Sequence, residues 1–138
     1  MTRLLFPVLL LLLCAAPQAH AAEAYAISKV NLRAGPDGGY PVVDILKSGE
    51  RVELLGCLNG YQWCEVETYE GEHGWVYAHY LGTSHQGNNS LTIIQRDGRG
   101  LKIITFNPRN YWSQYYRTKY FYKDRDRWLP PYHHHDDD

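Results

Sequence analysis

Between residues 25 and 82, apolar and polar positions alternate in short runs broken by glycine, proline and asparagine, the pattern of a small all-β unit. The alternation predicts five strands. The first covers 25–32, with Val30 and Leu32 on one face and Asn31 and Arg33 on the other. Ala34-Gly35-Pro36-Asp37-Gly38-Gly39 must then be a loop, because its glycines and proline supply the unusual and fixed φ values of a tight excursion. The second strand covers 41–46 and the third 51–54, with Val52 and Leu54 inward. Asn59-Gly60 is a hairpin turn signal, returning the chain through a fourth strand at 62–68. A fifth strand follows at 74–78. Inward Cys64, Val66, Thr68, Val76 and Ala78 place Trp63, Glu65, Glu67, Trp75 and Tyr77 on the outer face.

The pattern changes after Gly82. Residues 83–90 are polar and read as a linker. Residues 91–106 hold two β-branched runs about Asp97-Gly98, which predicts a hairpin extension that must lean on the barrel or on another chain. In the last section, 107–138, Asn107-Pro108 is a cap followed by a first-turn proline, so a short helix is expected over 108–116. That helix holds Tyr111, Trp112, Tyr115 and Tyr116. Beyond it, 119–128 interleaves aromatic rings with Lys and Arg.

The first 22 residues lie outside this pattern. Met1-Thr2-Arg3, the apolar run 4–16 and the Ala19-His20-Ala21 cleavage signal read as a signal peptide. Export to the periplasm is therefore expected. A lipid-modified Cys14 is the rival, but the leucine before it fits a lipobox poorly. The apolar run is short for a spanning helix of about 20 residues, so no membrane span is expected.

Export changes how the remaining cysteines are read. Cys57 and Cys64 flank the Asn59-Gly60 turn in an oxidising compartment, and a disulfide is the economical reading. A catalytic cysteine paired with His73 or His79 is the alternative, with no traceable peptidase layout to support it. No nucleophile–base pair, carboxylate pair or closed metal site can be located, so neither an enzyme nor a cofactor is expected. The final His133-His134-His135-Asp136-Asp137-Asp138 run reads as a solvated tail or tag remnant rather than a metal site.

The formal net charge is −1, but it is divided unevenly. Residues 23–82 carry nine acidic and four basic side chains, and residues 107–128 carry six basic and two acidic. Opposite signs and outward rings together predict that the tail docks on the barrel, with Trp63, Tyr77, Tyr111, Trp112 and Tyr115 as docking or partner-binding candidates. Single-stranded nucleic acid would also suit basic and aromatic residues, but export and the overall negative charge argue against it.

The Asn31-Leu32-Arg33-Ala34-Gly35-Pro36 opening and the Gly74-Trp75-Val76-Tyr77-Ala78-His79-Tyr80-Leu81 close resemble the bacterial SH3 family. The resemblance implies an SH3-like barrel over 23–82 and a non-catalytic binding module. It implies a ligand groove formed by Asn31, Arg33, Tyr40, Trp75 and Tyr80, and a ligand that is cell-wall (peptidoglycan) peptide or a related envelope component. The alternative is an adaptor or inhibitor that binds an envelope protein through its hairpin and aromatic tail, the barrel serving as scaffold.

Overall fold

The computed structural model describes residues 2–5, 22–83 and 101–130. Most of the leader, the first run of the expected hairpin at 91–94 with its Asp97-Gly98 turn, most of the linker and the His/Asp tail lie outside the described residues. Seven strands form one antiparallel sheet: β1 Ala22–Ala26, β2 Val30–Arg33, β3 Val42–Leu46, β4 Arg51–Cys57, β5 Trp63–Glu67, β6 His73–Tyr77 and β7 Leu81–Gly82. Their order across the sheet is β3-β2-β6-β5-β4-β1-β7. Leu46 from one end strand and Leu81 from the other belong to the same buried cluster, so the sheet curls around a single core.

Parity works as the alternation predicts. Val52, Leu54, Cys64, Val66 and Val76 are buried, and Trp63, Glu65 and Glu67 alternate outward along β5. The turn between β4 and β5 places Gly60 at φ +90° and Tyr61 at φ +57°, and the Tyr61 amide donates to the Leu58 carbonyl at 2.9 Å. Glycine adopts that left-handed region without penalty, whereas a tyrosine there is uncommon and is held by packing its ring on the core.

The expected first strand is instead two, separated at 27–29. β1 pairs with β4 and β7, whereas β2 pairs with β3 and β6, so the chain changes neighbours between them. Ala24, Ala26, Val30 and Leu32 share one parity, so the break leaves no mark on the alternation. The Cys57–Cys64 disulfide joins a cross-strand pair at the end of the β4–β5 hairpin. Of the expected hairpin, the described part is an extended segment bonded to β4: Cys57 donates to the Lys102 carbonyl and Ile104 to the Cys57 carbonyl, both at 2.9 Å. This approach depends on Gly56, where an added Cβ would lie 2.6 Å from Ile104 Cγ2 and 2.8 Å from the Lys102 carbonyl oxygen.

The chain then crosses onto the outer face of the sheet. Helix α1, Pro108–Tyr115, starts at Asn107, whose Oδ1 accepts from the Asn110 amide at 3.2 Å. A kinked 3-10 segment follows at Tyr122–Arg127. Trp112, Tyr116, Phe121 and Leu129 are buried in a second apolar cluster that includes Ala34, with Tyr40, Val43 and Phe106 at its border. Among the described residues no helix is long and apolar enough to cross a membrane.

Candidate functional site

The outer face of β2, β6 and β5 carries the residues singled out by parity. Arg33 pairs with Trp75, Trp75 with Glu65, Trp63 with Tyr77 and Glu67 with His73. The tail divides this face into a covered half and an open half.

In the covered half, Trp75 is completely buried. Phe106 meets it edge-on at 5.3 Å and Tyr111 lies over it at 5.9 Å, centroid to centroid. Tyr115 stacks on the His73 ring at 3.9 Å, and the Tyr116 hydroxyl donates to the His73 carbonyl at 2.8 Å. Trp112 packs on Phe121 at 4.9 Å, and its indole N–H donates to the Ala34 carbonyl at 2.8 Å. Burial pushes the Tyr111 and Tyr116 phenols far above the usual tyrosine range, with the nearby Glu65 carboxylate adding to the effect. Rings rather than charges make this seam. The ion pair that crosses it among the described residues is Lys119 with Glu72. Other charged contacts stay within the sheet or within the tail, as where Arg51 meets Glu23 and Glu53, or Arg125 lies over Tyr122.

Two of the expected groove residues therefore do not line an open groove. Trp75 is sealed beneath Phe106 and Tyr111. Tyr40 turns into the tail cluster, edge-on to Phe106 at 5.7 Å and to Trp112 at 6.3 Å. Its ring lies against Gly35, where an added Cβ would stand 2.6 Å from it. Phe106 was missed because it ends a β-branched run that reads as strand, and its partners are distant in sequence.

The open half is a groove of about 380 Å³ lined by Lys29, Val30, Asn31, Arg33, Trp63, Tyr77 and Tyr80. It brings together Asn31, Arg33 and Tyr80, expected as groove residues, and Trp63 and Tyr77, expected as docking residues. Tyr77 stands between two rings, with Trp63 edge-on at 5.6 Å and Tyr80 tilted at 6.0 Å. Tyr77 and Tyr80 remain 38 % and 42 % exposed, so neither is used up by packing. The 3-10 turn at Ala78–Tyr80 sets this wall: Ala78 is buried while Tyr77, His79 and Tyr80 face out. On the other side, the Arg33 guanidinium donates to the Tyr40 carbonyl at 3.0 Å, which fixes the head group while leaving further N–H donors. Lys29 lies in the short connection between β1 and β2, which the expectation of a continuous first strand concealed.

The groove can stack flat apolar or sugar faces on its rings and donate hydrogen bonds from Asn31, Arg33, Lys29 and two phenols. Among the described residues, no three His, Cys, Asp or Glu side chains gather as a metal site would require.

No curated protein matches this sequence. The family model of the bacterial SH3 domain matches residues 28–82. The match runs from the connection before β2 to the end of β7 and contains every groove residue. Domains of this kind are generally non-catalytic binding modules, commonly related to the cell wall. Over residues 28–82, then, this chain is similar to the bacterial SH3 domain.

Proposed function

We propose that this protein is an exported, periplasmic, non-catalytic binding module whose open groove recognises peptidoglycan peptide or a related envelope component. One observation carries the reading. The tail covers the Trp75 end of the outer face but leaves Trp63, Tyr77 and Tyr80 as an aromatic wall with hydrogen-bond donors opposite. Exposed rings grouped in a concave site beside fixed polar groups are what a ligand site needs, and they are costly to leave in water without use.

The same packing disfavours an adaptor that works through its aromatic tail. Trp112, Tyr116 and Phe121 are buried within the chain, and Tyr111 and Tyr115 lie against Trp75 and His73. The test is co-sedimentation of the full chain with purified sacculi, beside Tyr77→Ala and Tyr80→Ala. Retention of the parent and loss in both variants is expected. Undiminished retention of the variants would move the site elsewhere, and no retention of the parent would remove the wall reading.

A further inference from the structure

We infer that the groove selects a ligand by a carboxylate, held on Lys29 and Arg33 while an adjoining sugar or aliphatic face stacks on Trp63, Tyr77 and Tyr80. This rests on the proposed binding role of the groove and adds the chemical class of what it takes.

The argument is one of charge placement. The segment 23–82 has nine carboxylates and four cations, yet two of those four cations line the groove and no carboxylate does. Arg51, by contrast, is already engaged by Glu23 and Glu53. Among the described residues neither Lys29 nor Arg33 meets a carboxylate, and the bond that Arg33 makes goes to a neutral carbonyl. That bond also orients the fork. A planar guanidinium held in place can bind a carboxylate through two parallel N–H donors, with less loss of side-chain freedom than a free arginine. Lys29 is exposed, lines the same groove and supplies a second charge. The aromatic wall supplies what a bare anion site lacks: Tyr77 and Tyr80 offer face area for the ligand's uncharged part. Phosphate or sulfate alone would leave that wall unused.

A carboxylate in the wall comes from the peptide, or from the lactyl group of a sugar that has lost its peptide, and the probes separate the two. The full chain is titrated, with amide shifts read by NMR, against N-acetyl-alanyl-alanine and its C-terminal amide, and against N-acetylmuramic acid and N-acetylglucosamine. At least one acid is expected to bind about tenfold or more tightly than its neutral counterpart, the low end of what one charge-assisted hydrogen bond contributes. Shifts should centre on the Lys29, Arg33 and Tyr77 amides. Lys29→Gln, an exposed change that leaves the fold alone, should reduce the preference several-fold and flatten its salt dependence. The acid that shows the preference identifies the source. Equal affinity for acid and neutral forms, shifts confined to other surfaces, or no binding of any probe at millimolar concentration would overturn the inference.

Sacculi whose carboxyls have been amidated keep this apart from the broader reading. Retention that survives amidation overturns the carboxylate inference and leaves wall binding standing. Acid-selective binding of a small probe without retention on native sacculi does the reverse.

Discussion

Two tryptophans, both buried completely and both in the seam between sheet and tail, differ in one bond, which allows the seam's hydrogen bonding to be measured. Trp112→Phe and Trp75→Phe delete the same atoms, so transfer and cavity costs should be of similar size, a few kcal/mol at most. The Trp112 N–H donates to the Ala34 carbonyl at 2.8 Å, and Ala34 is itself fully buried. Its carbonyl cannot regain water when the donor is removed, and an orphaned buried acceptor costs about 1–3 kcal/mol. The Trp75 N–H is buried with no partner among the described residues, so Trp75→Phe removes a donor whose desolvation is already an unfavourable term. Trp112→Phe should therefore be the more destabilising by at least about 1 kcal/mol, which corresponds to about 4 °C in Tm for a chain of this length. Urea unfolding followed by far-UV circular dichroism gives the difference in midpoint without relying on tryptophan emission, provided the slope is unchanged. If Trp75→Phe costs as much as Trp112→Phe or more, the assignment of the Trp112–Ala34 bond as a principal tie of the tail is wrong.

Gly56→Ala should push the 101–104 segment off β4, because its Cβ would fall 2.6 Å from Ile104 Cγ2, and hydrogen exchange at the Cys57 and Ile104 amides should accelerate together. Reducing Cys57–Cys64 opens a loop of about eight residues and should lower stability by about 2.5 kcal/mol, read from urea midpoints with and without reductant. Stability should be level in pH up to about 10 as far as Tyr111 and Tyr116 are concerned, and then fall. Their phenols stay protonated in the folded chain while the unfolded chain ionises near 10, so each contributes a decline of up to about 1.4 kcal/mol per pH unit above that point. Replacing Tyr116 by Phe should shallow that slope, and an unchanged slope would refute the assignment.

Much of this architecture was legible because period-two alternation reports faces directly. It placed Trp63, Trp75 and Tyr77 outward, and each has that orientation. Alternation says nothing about what lies over a face, so it could not tell that Trp75 is covered while Tyr77 is not; the cover comes from Phe106 and Tyr111, some thirty residues later. Tyr40 follows the same logic: its position after the glycine-rich loop fits a groove wall, but Phe106 and Trp112 draw it into the tail. The division of the first strand was hidden because its two parts share a parity. The opposite charges of the two halves pointed to docking, yet ring packing rather than ion pairing accomplishes most of it, as expected where exposed pairs are worth about 0–1 kcal/mol each.

The placement of the tail also bears on the groove that it leaves open. Along the row Arg33–Trp75–Glu65, the carboxylate stands two strands from the guanidinium, about 10 Å by strand spacing and so within about one Debye length in a salt solution. Glu65 lies beneath the tail with its side chain 13 % exposed, beside His73 at 3.6 Å. Glu72 is paired with Lys119. The tail therefore lies over the acid-bearing half of the outer face and leaves the half that carries Lys29 and Arg33 in contact with solvent. Without the tail, one continuous aromatic face would mix both signs. With it, a domain rich in carboxylates presents an open aromatic surface whose charges are positive. If the groove binds as proposed, the tail contributes to recognition without touching the ligand: loosening it, for example with Trp112→Phe, should weaken the preference of the groove for acids, read in the same NMR titrations, before it weakens stacking on Tyr77 and Tyr80.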